Sequence, residues 1–289
     1  MKNKVVYNKK ARIIYDEEMQ VRKKKISDSK IYNYLENKKF YNFVAPIKIT
    51  SEYEYFPYIE EISIPKEDKA IELMNLISML HVKTTTYQET NINNIKQVYE
   101  NTIKEIEELR EYYYTLQDVL EYKEYHLPAE QLLLYNISSF YKAINYAEHK
   151  IGLWYKEKEK TKNERVVLIH NNPSLEHILY NKDSLVLISW SKSKKDYPVY
   201  DFLRLYKQEF KSLEMISLFN IYKSKFQFDN TEKLLFESLI SIPPKVILNK
   251  TNLINTINVR YAVDYVINTN TFLLEYDKEN EQRNNSELK

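Results

Sequence analysis

A single glycine, Gly152, and no cysteine stand in a chain of 289 residues. An average composition of about 7% would give roughly 20 glycines. Without them no glycine-rich phosphate loop and no dinucleotide G-x-G-x-x-G can be written. Loops that need positive φ, or that must press against a phosphate, are expected to be absent too. The lack of cysteine excludes disulfides, thiolate zinc sites, iron–sulfur clusters and cysteine nucleophiles. Charge of one sign is also missing: 43 Lys and Arg against 41 Asp and Glu leave +2, no electrostatic footprint for nucleic acid or an anionic membrane. No apolar run reaches the length of a membrane span, and the basic start at Met1-Lys-Asn-Lys lacks the apolar region of a signal peptide. These readings predict a cytoplasmic protein without a nucleic-acid partner.

What is abundant is tyrosine, 27 residues, in a chain that is 43% hydrophobic and 29% charged. That composition is globular. The tyrosine runs read as core and surface filler, because a base-stacking role would need a basic groove. At about 150 residues per domain the length suits one or two units.

The first 60 residues read as a small sheet with one helix. Strand-like runs at 4–7, 11–15, 19–25, 44–49 and 52–59 are rich in Val, Ile and Tyr and broken by polar turns. Alternation places Met19, Val21 and Lys23 on one face. Residues 28–39 show helical spacing. From Pro65 the period becomes 3.6: Ala70, Leu73, Met74, Ile77 and Leu80 share a stripe. A longer stripe runs from Ile92 to Leu120, is closed by His126-Leu127-Pro128, and is answered by a second arm to about residue 160 with Leu133, Ile137, Phe140, Tyr141, Ile144 and Ile151 inward. This predicts a helical hairpin. Short apolar strands at 166–169 and 185–190 flank loop chemistry at Asn171-Asn172-Pro173-Ser174. Helices are expected again at 199–225, 231–242 and 250–274. The predicted class is α+β, a small N-terminal antiparallel sheet plus helix (1–62), then a larger, mainly helical lobe (63–276) and a polar tail (277–289).

That order permits a bilobal fold, and one stretch carries a resemblance to the protein-kinase-like one. Val166-Val-Leu-Ile-His-Asn-Asn-Pro-Ser-Leu-Glu-His-Ile-Leu179 resembles the strand and catalytic loop, H-G-D-x-x-x-x-N plus two aliphatics, of the aminoglycoside/choline phosphotransferases. Ile188-Ser-Trp190 resembles their metal-binding I-D-W. Tyr197-Pro-Val-Tyr-Asp-Phe202 resembles their x-P-x-x-D-[LF], and Leu80-His-Val-Lys-Thr84 their L-H-x-x-T. Within that family the chain looks similar to a spore-coat kinase-like group of low-G+C bacteria.

The resemblance implies roles, and the departures qualify them. The position of the family's catalytic aspartate is Asn172, whose amide cannot accept a proton as a base. The loop's metal-binding asparagine is replaced by His177 and the I-D-W aspartate by Ser189, so the oxygen-rich ligand set preferred by Mg²⁺ is lost. His170 keeps the family's loop histidine. Lys23 stands for the phosphate-binding lysine, with Arg22 or Lys24 as alternatives if the register slips, and Glu36 or Asp28 as its carboxylate partner. Tyr58 and Ile59 fall in the linker whose backbone meets adenine. His81 and Asp201 read as structural, Asp201 as the cap of a helix starting near 202. Asp183 and Asp196 are nearby carboxylates that could enter a rearranged site. No metal site is expected; ATP and Mg²⁺ would be needed only by an active enzyme. The expected function is an impaired kinase acting as a binding or scaffold module, with a protein or a small molecule in the cleft. The alternatives are an active phosphotransferase with rearranged ligands, using an alcohol acceptor, and a structural coat or envelope component.

Overall fold

The computed structural model describes residues 4–8, 11–15, 20–24, 30–59, 64–181 and 184–287, with side chains at 21, 30–59, 64–180 and 184–278. Its contacts gather the chain into two compact units. One comprises Met1–Thr86, Val166–Arg204 and Leu218–Gln227; the other Tyr87–Arg165, Leu205–Ser217 and Phe228–Lys289.

The first unit opens with strands β1 (Lys4–Asn8), β2 (Ala11–Tyr15) and β3 (Gln20–Lys24), then helix α1 (Lys30–Asn37) and strands β4 (Lys48–Ile49) and β5 (Tyr53–Pro57). They form an antiparallel sheet in the order β1-β2-β3-β5-β4. Only two residues of the run 44–49 enter the sheet. In the β3–β5 register Val21 lies opposite Phe56 and Lys23 opposite Glu54. α1 turns Tyr32 and Leu35 inward, and Tyr32 packs against Phe43 and Phe56.

The end of α1 shows how the chain manages without glycine. Lys39 adopts φ 56°, its N–H donates to the Glu36 carbonyl and that of Phe40 to the Leu35 carbonyl. This is a Schellman close, the position where glycine is usual. Asn171 and Ser189 also have positive φ, 59° and 70°. The expectation that a glycine-poor chain avoids such loops is therefore wrong. Asparagine reaches this region at least cost, and the remaining strain is carried by surrounding hydrogen bonds.

α2 (Lys66–Thr84) realises the predicted stripe: Ala70, Leu73, Met74, Ile77 and Leu80 are all fully buried. After β6 (Thr86–Glu89) come the two arms, α3 (Ile92–Glu121) and α4 (Pro128–Lys158). Asn91 caps α3 by accepting from the N–H groups of Asn93 and Asn94. Ile92, read as the start of the inward stripe, is exposed; Ile95 begins it. α4 packs on α3, α7 and α8 and is the centre of the second unit's core.

β7 (Asn163–Ile169) lies between β6 and β10 (Lys194–Asp196), and β8 (Ile178–Asn181) pairs with β9 (Ser184–Leu187) as a hairpin. The predicted strand 185–190 ends at Leu187; Trp190 starts a 3₁₀ turn. The predicted helix 199–225 is two, α5 (Val199–Glu209) and α6 (Met215–Lys225). The Ser212 hydroxyl donates to the Glu209 carbonyl at 3.2 Å, and the Ser212 N–H donates there too, which supports the break. α7 (Asn230–Ser241) carries a capping box of Asp229 and Glu232. Beyond Pro243-Pro244, α8 (Asn252–Glu287) continues through the segment read as a polar tail. The hydroxyl of Tyr113 donates to the Pro244 carbonyl and accepts from the Val246 N–H, and the hydroxyl of Tyr112 donates to the Val246 carbonyl, fixing the loop to α3.

Candidate functional site

The loop after β7 is held from below by one buried carboxylate. Asp201, in the first turn of α5, accepts from the backbone N–H of His170 at 2.7 Å and of Asn171 at 2.6 Å. It also meets His81 Nε2 at 3.1 Å, and both side chains are wholly buried. His81 Nδ1 lies 2.7 Å from the Tyr222 hydroxyl of α6. The network assigns the tautomer: Nε2–H donates to Asp201 and Tyr222 donates to Nδ1. α5 already begins at Val199, so Asp201 is not its cap. Its carboxylate turns away from the helix to satisfy loop donors that burial would otherwise leave stranded.

His81 and Thr84 of Leu80-His-Val-Lys-Thr84 both serve this frame. The Thr84 hydroxyl donates to the Leu80 carbonyl and accepts from the Leu168 N–H at 3.0 Å. One turn of α2 thus anchors β7 and, through His81 and Asp201, the loop that follows.

His170 is completely buried, and its Nε2–H donates to the Ile188 carbonyl at 2.8 Å. Desolvation, chiefly, pushes its pKa below the ordinary 6.5, with His177 acting in the same direction; Asp201 opposes them. The ring sits edge-on to Trp190, which also meets Phe40 and Phe43. Asn171 follows in the left-handed region, its amide donating to the Lys192 carbonyl at 2.8 Å.

Two polar residues of the loop then meet. His177 Nδ1–H donates to the Asn172 carbonyl at 2.8 Å, and the Asn172 amide nitrogen lies 3.3 Å from the same ring nitrogen. The Ile188 N–H donates to the His177 carbonyl, so Ser189 follows directly, half-buried at the end of the hairpin with φ 70°. Phe43 bridges Leu187, and the Asn42 amide donates to the Leu185 carbonyl, which ties the segment after α1 to β9. Of the candidates Asn172, His177 and Ser189, the first two are in contact and Ser189 stands one residue beyond the Ile188–His177 hydrogen bond. The structure places Tyr58 and Ile59 just after β5, Tyr58 exposed. The side chain of Lys23 and its alternatives Arg22 and Lys24 lie outside the described residues, as do Asp28 and Asp183.

Glu36 and Asp196, two of the carboxylates offered for the site, go elsewhere. Glu36 is on the exposed face of α1. Asp196 pairs with Lys194 at 2.6 Å and accepts from the Tyr197 N–H. Glu54, opposite Lys23 in the register, is buried. It was missed, although alternation in Tyr53-Glu-Tyr-Phe56 puts it on the face of Phe56. Among the described residues no group of three or more His, Asp or Glu could hold a metal ion. An amide, an imidazole and a hydroxyl can orient an alcohol or a phosphate, but they do not suit Mg²⁺, which demands hard, charged oxygen donors.

No protein-family model and no curated protein matches the chain. Solved structures do. An aminoglycoside phosphotransferase from Alicyclobacillus acidocaldarius superposes over 96% of this chain and 92% of its own, with TM-score 0.69 and 9% identity. This chain has the kinase-like phosphotransferase fold. A spectinomycin phosphotransferase, solved with ADP and spectinomycin, covers 90% and 89% of the two chains at TM-score 0.51 and 14% identity. A glucosamine kinase solved with glucosamine, ADP and inorganic phosphate covers 98% and 81% at TM-score 0.50 and 9% identity. No described helix is long and apolar enough to cross a membrane.

Proposed function

We propose that this kinase-like protein no longer transfers phosphate and acts as a binding or scaffold module. The observation that carries the reading is the pairing of Asn172 with His177. Where the resembling family has a proton acceptor and a metal ligand, this loop has an amide and an imidazole: His177 Nδ1–H donates to the Asn172 backbone carbonyl at 2.8 Å, with the Asn172 side-chain amide 3.3 Å from the same nitrogen. Ser189 adds a neutral hydroxyl. Phosphoryl transfer rests on positioning and on charge neutralisation by metal. The frame that positions the loop is intact here, while the charged groups are gone. An intact, buried frame under a neutral loop fits a fold kept for binding. Placement in the spore-coat kinase-like group rests on the loop motifs alone, and the ligand class, a protein or a small molecule, follows from the resemblance.

Thermal unfolding with ATP, with and without Mg²⁺, tests the reading, run beside a phosphate-transfer assay. Ligand at about 100 times its dissociation constant adds roughly 2.7 kcal/mol, a visible shift. The native chain should show no Mg²⁺-dependent shift and no transfer. The variant Asn172→Asp, His177→Asn, Ser189→Asp should gain a shift that requires Mg²⁺. Transfer by the native chain, abolished by Lys23→Ala, would overturn the proposal and return the chain to the active phosphotransferases.

A further inference from the structure

α8 is apolar on two sides. One side is spent in the core of the second unit, where Val259, Ala262, Val266 and Leu273 are buried. The other is uncovered: Leu253 is 71% exposed, Ile257 58%, Ile267 52% and Leu274 54%. A helix that is apolar all round is normally covered all round. The exposed residues also have a seam's spacing. Leu253, Ile257, Arg260, Asp264, Ile267, Thr271 and Leu274 follow the alternating steps of four and three that bring side chains to one line between paired helices. Two charged residues in the middle of that line decide what it can face.

We propose that this face of α8 pairs two copies of the chain, antiparallel, about a two-fold axis at Ala262. In that register Ile257 meets the partner's Ile267, Leu253 meets the partner's Thr271, and Arg260 meets the partner's Asp264. The axis repeats each contact, as an isologous interface must. A parallel pair would set Arg260 against the partner's Arg260. An antiparallel pair shifted by one heptad would lay Asp264 on the partner's Ile267. The first sets like charges together and the second lays an ion pair on an apolar side chain, and neither gives the pair a new partner that offsets its desolvation. The self-complementary order Ile–Arg–Asp–Ile is satisfied by a second copy in one register.

The charges are already arranged for this. Arg260 Nε donates to Asp264 Oδ1 at 2.8 Å within the helix, while Lys211 holds Oδ2 at 2.7 Å. A guanidinium has five donors in a fixed fork, so Arg260 can keep its own carboxylate and reach the partner's. The pairing is independent of what the loop at His170 does.

Sedimentation velocity of the full chain over a range of concentrations tests it. The native protein should pass from monomer to dimer. Ile257→Glu and Ile267→Lys should each leave a monomer that, since both positions are exposed, melts with the native protein at concentrations too low for the native chain to dimerise. The double variant should dimerise again, because the antiparallel register sets each introduced acid against the partner's introduced base. A native chain that stays monomeric at every concentration overturns the proposal, as does a dimer indifferent to the single changes. Failure of the double variant to dimerise, with both singles monomeric, overturns the antiparallel register.

Discussion

Asn171 concentrates the site's local chemistry in one residue. Its φ of 59° is where most side chains are strained, its N–H is held by Asp201, and its amide reaches the Lys192 carbonyl. Replacement separates these roles. Asn171→Gly keeps the backbone and loses one hydrogen bond, about 1 kcal/mol. Asn171→Ala loses that bond and adds the left-handed penalty, about 1–2 kcal/mol more. Urea denaturation should therefore rank the native chain first, glycine second and alanine last. The candidate residues Asn172, His177 and Ser189 were legible because they stand at fixed distances from His170 and Trp190. Tyr222 was not, since its contact with His81 spans 141 positions and leaves no periodic trace. The glycine argument failed here for a related reason. Composition says how easily a conformation is reached, while hydrogen bonds from elsewhere in the chain decide whether it is held.

At the scale of elements, the long helices were the readable part. Ala70 to Leu80 and Leu133 to Ile151 repeat often enough for a 3.6 period to show. β6, β8 and β10 have four residues or fewer, too few for an alternation to register, and β6 and β10 depend on β7, a partner supplied by a distant segment. The break between α5 and α6 was missed because apolar spacing resumes on both sides of it. α4 shows the converse of the Asn171 case. Gly152 lies inside this helix, and a Cβ built there meets nothing within 4 Å. Glycine's freedom is unused at that point and only lowers helix propensity. Gly152→Ala should stabilise the protein by about 0.5–1 kcal/mol, read as a raised urea midpoint with unchanged slope.

For the whole molecule, the clearest environmental response comes from His170. Burial holds its folded pKa below 6.5, so the unfolded chain binds a proton there that the folded chain refuses. Its contribution to stability is complete above 6.5 and is lost as the pH falls through that value. The slope is at most about 1.4 kcal/mol per pH unit for one proton. Denaturation midpoints followed from above 6.5 to below it should decline, and His170→Asn should flatten the decline. A native profile level across that window would show that the folded chain accepts the proton after all.

The first unit is built from three stretches of chain, ending at Thr86, at Arg204 and at Gln227. His81 has its carboxylate only when Asp201 exists, and its hydroxyl donor only when Tyr222 does. During synthesis the N-terminal sheet and α2 therefore emerge long before the segments that complete their core. Closing contacts over such separations carries a loop-entropy cost before any of it is returned. The order of translation thus makes this unit a late one: its earliest residues wait, partly exposed, for some of its last.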